Sequence, residues 1–174
     1  MQSRYRFAES NAAYFVTCTT VEWLPVFSRQ ATCYVLVKSL LYCREQKNMR
    51  IYAWVIMDNH FHAILSATGL SAIMQQLKSF TAKQIIGHLQ SDSRDWLLNQ
   101  LRFYAKGSVE HQLWKEGSHP QAILDDEMML QKMEYLHNNP VRRGWVASPE
   151  HWRYSSAHEW LPGATPLLRC DQWR

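Results

Sequence analysis

The amino-acid sequence predicts an α+β domain in which an antiparallel sheet is covered by helices. Two observations support this prediction. Extended runs of β-branched and aromatic residues alternate with segments in which apolar residues recur at helical spacing. The chain has 174 residues, 47% hydrophobic and 13% aromatic, which is enough to bury the core of one domain. No repeat or second domain is visible, so we expect a single domain over residues 1–174, with a loop-rich tail from about residue 145.

The first predicted strand and the first predicted helix lie within residues 14–46. Residues 14–20 are β-branched and aromatic and contain no helix signal, so they predict a strand. Residues 30–46 contain an apolar stripe at helical spacing, and Ser28 is placed to cap the resulting helix.

A predicted β-hairpin follows this helix. Residues 49–57 form one apolar strand and residues 60–66 form the next, with a tight turn at Asp58 and Asn59. Asn59 suits the positive φ angle that such a turn requires. The hairpin would supply neighbouring strands of the sheet.

The middle of the chain predicts two helices and a further strand. Gly69 precedes a segment with apolar residues at helical spacing, and a short helix is expected over residues 96–104. Residues 118–124 form a plausible fourth strand, in which Pro120 indicates an edge position because proline donates no ladder hydrogen bond.

The last predicted helix begins with acidic residues at 125–127, which suit a helix N-terminus, and runs to about Asn138, where Pro140 stops it. Apart from the short helix at 96–104, the order is strand, helix, strand, strand, helix, strand, helix. This is the β-α-β-β-α-β pattern of ferredoxin-like and RRM-like sheets with an added C-terminal helix. The sheet would present one face to helices, and the strand at 60–66 would be central.

A His-x-His pair at the start of that central strand is the strongest chemical motif of the hairpin. Successive side chains of a strand alternate between faces, so His60 and His62 point the same way, ~7 Å apart at ~3.3 Å per residue. Phe61 would be buried on the opposite face. Two imidazoles on one face are half of a metal site.

A candidate nucleophile lies on the last helix. Tyr135 and Asn139 are four residues apart and therefore share one helix face, whereas His137 points away from them. The amide of Asn139 is a reasonable third ligand for Mg²⁺ or Mn²⁺ on the histidine pair. The phenol of Tyr135 could then attack a phosphodiester to give a covalent phosphotyrosine.

Charge permits a polyanionic partner, because 19 Lys and Arg outnumber 15 Asp and Glu. The four cysteines form no C-x-x-C pair, so the sequence indicates reduced thiols and suggests neither a zinc ribbon nor a thioredoxin-type redox motif. Neither a signal peptide nor a membrane span is visible, so we expect a cytoplasmic protein. The basic residues that could contact nucleic acid are Arg4, Arg6, Lys78, Lys83, Arg142 and Arg143.

Four segments resemble a known family over roughly residues 12–157. They are Ala-Trp-Val-Ile-Met-Asp-Asn-His-Phe-His-Ala-Ile at 53–64, Leu-Lys-Ser-Phe-Thr at 77–81, Leu-Trp at 113–114 and Tyr-Leu-His-Asn-Asn-Pro-Val-Arg-Arg-Gly at 135–144. Together they resemble the IS200-like, single-tyrosine transposases of the HUH superfamily, and within it the branch of REP-associated tyrosine transposases.

The resemblance implies a metal-dependent single-stranded DNA endonuclease and strand transferase that acts near DNA hairpins through a 5′-phosphotyrosine. It implies that His60, His62 and Asn139 bind Mg²⁺ or Mn²⁺ and that Tyr135 is the nucleophile. In this sequence Asp58 stands where the family usually has proline, which changes the turn and adds a negative charge.

The resemblance also implies a partner and a location in the cell. Family members bind single-stranded or hairpin DNA through basic surface, so the six basic residues named above are candidate contacts. The enzyme would be cytoplasmic and associated with the nucleoid when bound to DNA, without a membrane. A homodimer and a monomer both remain open.

Two alternative functions follow from the same features. One is a single-stranded nucleic-acid binding module without chemistry, although the aromatic-rich RNP strands typical of RNA-recognition domains are missing from the sequence. The other is a metal-dependent hydrolase that uses an activated water, in which Tyr135 would be dispensable.

Overall fold

The structure, a computed structural model, describes residues 12–118 and 120–173 and contains a four-stranded antiparallel sheet. The strands are β1 (Tyr14–Thr19), β2 (Arg50–Ile56), β3 (His60–Ser66) and β4 (Gln121–Ala122). The helices are α1 (Gln30–Gln46), α2 (Leu70–Ser91), α3 (Asp95–Phe103), α4 (Asp126–His137) and α5 (Asn139–Arg142). Short 3₁₀ turns cover Val21–Trp23, Pro149–His151 and Ser156–Trp160.

The strand order is β2-β3-β1-β4, so β3 lies inside the sheet and β2 and β4 are its edges. This order confirms the predicted α+β arrangement and the central position of the histidine strand. Helices α1 and α2 pack on one face around residues such as Leu36, Leu77 and Phe61. Helix α4 packs on the other face through Met129 and Leu136. The expected helix-covered face is therefore confirmed, and α4 covers part of the second face as well.

The β2–β3 turn differs from its prediction at Asn59. The Met57 N–H donates to the His60 carbonyl at 2.8 Å and closes the turn. Asn59 is not among the described residues with a positive φ angle, so that prediction is wrong. Its side-chain oxygen lies 2.6 Å from His60 Nδ1 instead, which makes Asn59 a partner of the site.

Helix α1 has the predicted bounds, but Ser28 does not cap it. The N-cap is Arg29, with no side-chain cap hydrogen bond. The hydroxyl of Thr32 instead donates to the carbonyls of Val26 and Arg29, at 2.8 and 2.9 Å. It thereby satisfies two backbone acceptors that precede α1. In α4 the capping follows the usual rule, because the carboxylate of Asp125 accepts the Met128 N–H at 2.7 Å.

The predicted fourth strand is shortened, whereas the last predicted helix ends within one residue of its predicted end. Strand β4 has two residues rather than seven, although its predicted edge position beside β1 is confirmed. Helix α4 ends at His137, and α5 begins at Asn139. Pro140 therefore lies in the first turn of a new helix, where its missing N–H is not needed, instead of ending helical structure.

The tail packs along the free edge of β2, although its sequence predicts no regular element. The Ile56 N–H donates to the Tyr154 carbonyl at 2.8 Å. The Trp54 N–H donates to Ser156 Oγ at 3.0 Å. Near the end of the chain, the Asp171 N–H donates to the Ile51 carbonyl at 2.7 Å. The tail thus occupies hydrogen-bonding groups that an edge strand would otherwise leave open.

The four cysteines are free thiols, as predicted. Burial raises the pKa of Cys18, Cys33 and Cys170 to about 12, so these thiols stay protonated and unreactive. Within residues 12–118 and 120–173, no helix has the length and apolar character needed to cross a membrane.

Candidate active site on the histidine strand

The two histidines lie side by side on the α4 face of the sheet. Their ring centroids are 4.7 Å apart, and both residues are buried, at 6% and 5% exposure for His60 and His62. Phe61, between them in the chain, is fully buried on the opposite face, where its ring contacts that of Trp114. The same-face geometry predicted from strand alternation is therefore confirmed.

Each imidazole has one ring nitrogen fixed by a neighbouring side chain. His60 Nδ1 donates to the amide oxygen of Asn59, since that oxygen can only accept. His62 Nδ1 lies 2.8 Å from the hydroxyl of Thr17, the residue paired with His62 across β1 and β3. No described residue makes a hydrogen bond with either Nε2 atom. This pattern, with Nδ1 held by an oxygen and Nε2 free, is the one found in histidines that bind metals.

Both histidines are neutral at neutral pH. Burial, with a smaller contribution from the positive charge of Arg143, lowers the pKa of His60 to about 4. Burial lowers the pKa of His62 to about 3, with His60 and Arg142 as smaller causes. A neutral imidazole offers the lone pair that a metal ion needs, so the protonation state suits metal binding.

The ring of Tyr135 lies against the histidine pair within the same chain. Its centroid is 5.6 Å from that of His62 and 5.9 Å from that of Phe15, whose ring also stacks on His62 at 5.2 Å. Tyr135 is 44% exposed, so a substrate can approach it from solvent. Helix α4 therefore brings the candidate nucleophile to its own chain's histidines.

Asn139 lies one helical turn after Tyr135, at the start of α5. Its amide nitrogen donates to the Tyr135 carbonyl at 3.1 Å, and no described residue pairs with its amide oxygen. Among the described residues, neither histidine makes a hydrogen bond to Asn139. Its role as a metal ligand stays a prediction.

The residues available for a metal ion are nitrogen and oxygen donors of mixed type. Residues 12–118 and 120–173 contain no cluster of three His, Cys, Asp or Glu side chains that could hold a metal. The histidine pair fits an ion only if amide, phenolic, water or phosphate oxygens complete its coordination. Asp58, two residues before His60, has one buried carboxylate oxygen without a hydrogen-bond partner in the described structure.

Positive charge surrounds the tyrosine, and part of it comes from a residue that sequence reasoning missed. The guanidinium of Arg142 lies 4.5 Å from the Tyr135 ring centroid and donates to the Tyr135 carbonyl. Lys132, absent from the predicted set, lies 5.2 Å above the ring of Phe15. Its position three residues before Tyr135 on α4 is the sequence signal that could have identified it.

Arg143 is close enough for its charge to act on His60, and its guanidinium lies 6.0 Å from the Trp145 ring centroid. Lys78 and Lys83 are not brought to this site. The ammonium of Lys78 donates to the carbonyls of Lys115 and Gly117, both at 2.9 Å, so this lysine fixes a loop. Lys83 is exposed on α2, which covers the opposite face of the sheet. Arg4 and Arg6 lie outside the described residues.

Comparisons with known proteins return transposases. The profile of a family described as IS200-like transposase matches residues 11–107, a segment that contains both histidines and ends before the tyrosine helix. A candidate REP-associated tyrosine transposase of Haemophilus influenzae is 22% identical over 103 residues, which are 59% of this chain and 56% of that protein. This chain therefore spans little more than half the length of the curated relative that it matches.

Two solved structures are similar in fold. A REP-associated tyrosine transposase bound to a REP hairpin superposes with a TM-score of 0.64 at 19% identity, covering 99% of this chain and 93% of the other. A candidate transposase of Deinococcus radiodurans superposes with a TM-score of 0.51 at 17% identity, covering 79% and 97%. At these identities the likeness is one of fold.

Proposed function

The chain belongs to the IS200-like transposase family, and we propose that it is a transposase that cuts and rejoins single-stranded DNA beside hairpins. The observation that supports this most is the contact between Tyr135 and His62, which puts a partly exposed phenol beside two neutral imidazoles. A hairpin is also the ligand of the structural relative described above. A binding module without chemistry would not need this combination.

In the proposed reaction Tyr135 is the nucleophile. Its phenolic oxygen attacks the scissile phosphorus, so a bond forms between tyrosine and the 5′ phosphate while the bond to the 3′ oxygen breaks. The phenolic proton passes to water, and the departing oxygen takes up a proton to become a 3′ hydroxyl. Because the phosphotyrosine retains the phosphodiester linkage, attack by a 3′ hydroxyl can rejoin strands without nucleotide hydrolysis.

The cofactor in this proposal is Mg²⁺ or Mn²⁺. The Nε2 atoms of His60 and His62 would hold the ion, with the amide oxygen of Asn139 as a further ligand. A bound ion would polarise the scissile phosphate and neutralise developing charge. Around it, Arg142 holds the Tyr135 carbonyl and ring, and Phe15 keeps the His62 ring in place.

The deciding experiment is detection of a covalent adduct. The protein is incubated with Mn²⁺ and end-labelled stem-loop oligonucleotides that have single-stranded extensions, and the products are separated under denaturing conditions. We expect a protein-DNA adduct with wild type and with Tyr42→Phe, a matched control at an exposed tyrosine of α1, but none with Tyr135→Phe. An adduct that survives in Tyr135→Phe would refute the assignment, and a free 5′ phosphate without adduct would indicate hydrolysis by water.

The histidines have a separate expected result. Alanine at His60 or His62 should abolish adduct formation while hairpin binding, measured by fluorescence anisotropy, stays within about twofold, a change below 0.5 kcal/mol. Thermal unfolding of each variant shows whether it is folded. Loss of hairpin binding in a folded variant would mean that the pair holds DNA rather than activates phosphate.

A further inference from the structure

A strained turn follows β1 and lies beside the histidine pair. Glu22 has φ 46° and ψ 30°, and Trp23 has φ 56°, so two consecutive residues with side chains adopt the left-handed conformation. Each such residue costs on the order of 1 kcal/mol, and such strain clusters at functional sites. Glycine would relieve the strain, but the chain has tryptophan at the second position.

The strained turn is held rigidly from both ends. The buried hydroxyl of Thr20 lies 2.8 Å from each of the carbonyls of Leu24 and Asn59. The Val21 N–H donates to the Leu113 carbonyl at 2.9 Å, and the side chains of Val21 and Leu24 are buried. Surrounding structure therefore fixes the backbone of Glu22 and Trp23.

Trp23 is presented to solvent at the edge of the candidate site. Its ring centroid is 5.9 Å from that of His60, with the two planes at 81°. Trp23 is nevertheless 54% exposed, whereas the tryptophans of the core, Trp54 and Trp114, are 1% and 6% exposed. A rigid turn thus holds a large, solvated aromatic surface beside the group proposed to activate the scissile phosphate.

We propose that Trp23 is a nucleobase subsite, on which an unpaired base next to the scissile phosphate stacks. This inference rests on the proposed function, because it takes the phosphate to lie at the histidine pair. Single-stranded nucleic acid has both chemical groups that this location can bind. Its flat bases can stack on the indole, and its phosphates can meet the nearby positive charge. Stacking on an aromatic side chain is tolerant of base identity, so the subsite sets the position of the strand rather than its sequence.

Two substitutions separate the ring from the strain. In the non-cleaving Tyr135→Phe background, Trp23→Ala removes the ring and keeps the strain, whereas Trp23→Gly removes both. Both should weaken binding of a stem-loop with single-stranded extensions by roughly 5- to 150-fold, and Trp23→Phe should recover most of the affinity. Trp23→Gly should melt at a higher temperature than Trp23→Ala. Trp96→Ala, at a 61% exposed tryptophan of α3, is the matched control and should bind normally.

Abasic substitutions test whether the ring acts on one base. Each nucleotide of the single-stranded extension is replaced in turn by an abasic residue. At one position, the replacement should weaken binding to the parent protein but not to the Trp23→Ala variant. If Trp23→Ala binds every oligonucleotide as tightly as the parent, or loses the same factor on all of them, the subsite is refuted. Adduct formation by the protein that retains Tyr135 tests the proposed function separately. If the adduct forms but Trp23→Ala does not change binding, the subsite is refuted and the proposed function stands.

Discussion

At the scale of single residues, the candidate site depends on the neighbours of the histidines. Thr17 lies opposite His62 on β1, and Asn59 immediately precedes His60, and each is within hydrogen-bonding distance of an Nδ1 atom. These contacts orient both rings so that the two Nε2 atoms stay available. The two rings are therefore oriented by residues that have no chemistry of their own, as the proposed metal site requires.

The Thr17 contact predicts an effect on metal affinity. Thr17→Val keeps the shape of the side chain and removes its hydroxyl, so the His62 ring loses its orienting partner. We expect the Mn²⁺ concentration for half-maximal adduct formation to rise by about 10- to 100-fold. Thr32→Val, which removes a hydroxyl that bonds to backbone carbonyls at the start of α1, is the control and should leave that concentration unchanged. Equal Mn²⁺ requirements in the two variants would contradict an orienting role.

At the scale of elements, helix α4 is attached to β2 through a buried polar contact. His137 is 2% exposed, and its Nε2 lies 2.7 Å from Ser156 Oγ. The same hydroxyl accepts the Trp54 N–H and lies 3.2 Å from the Trp54 carbonyl. Since Tyr135 is two residues before His137, this contact helps to set the height of the tyrosine over the sheet. It also confirms that His137 points away from Tyr135.

Removal of the Ser156 hydroxyl should loosen α4. Ser156→Ala leaves the Trp54 N–H and the His137 ring nitrogen without their partner, at a cost of about 1 to 3 kcal/mol for each buried group. Urea unfolding should show this loss, and the rate of adduct formation at saturating DNA should fall as well. Ser39→Ala is the control, because within the described part of the chain that buried hydroxyl bonds only to the Val35 carbonyl of its own helix. A destabilised variant with an unchanged rate would show that α4 is positioned by other contacts.

At the scale of the whole molecule, the tail covers the free edge of the sheet at β2. Arg44 on α1 makes two hydrogen bonds to the Asp171 carboxylate, at 3.0 and 2.9 Å, and the same carboxylate accepts the Ile51 N–H at 2.9 Å. One residue near the C-terminus thus joins α1 to the beginning of the edge strand β2. The arrangement protects an edge that could otherwise pair with another chain.

This junction predicts a pH dependence of stability. The hydrogen bonds from Arg44, assisted by that from Ile51, hold the pKa of Asp171 below its ordinary value of 3.8. The unfolded carboxylate therefore takes up a proton first, so the stabilisation is complete above that value and is lost as pH falls below it. Asp171→Asn should cost about 1 to 3 kcal/mol at neutral pH in urea unfolding and lose less stability on acidification than wild type.

The control for Asp171→Asn is a substitution at a weaker, exposed ion pair. Asp92 lies 3.6 Å from Arg29, with both side chains exposed by more than a third, so Asp92→Asn should change stability little at any pH. If both variants unfolded alike and with the same acid response as wild type, the tail would not be clamped by Asp171.

The sequence by itself determined the features that depend on local periodicity. Strand alternation is enough to put His60 and His62 on one face, and helical spacing is enough to predict the bounds of α1. Two local details were predicted wrongly. Ser28 does not cap α1, and the side chain of Asn59 pairs with His60 while its backbone is not left-handed.

Tertiary structure alone decided which distant residues meet. The register of β1 against β3 brings Thr17 to His62, and the packing of α4 on the histidine face brings Tyr135 to the same ring. The strained turn after β1 brings Trp23 to His60. These contacts depend on how whole elements pack, and residues far apart in the chain have no periodicity that records their partners. The sequence therefore predicts the chemistry of the site, and packing supplies the residues that orient it.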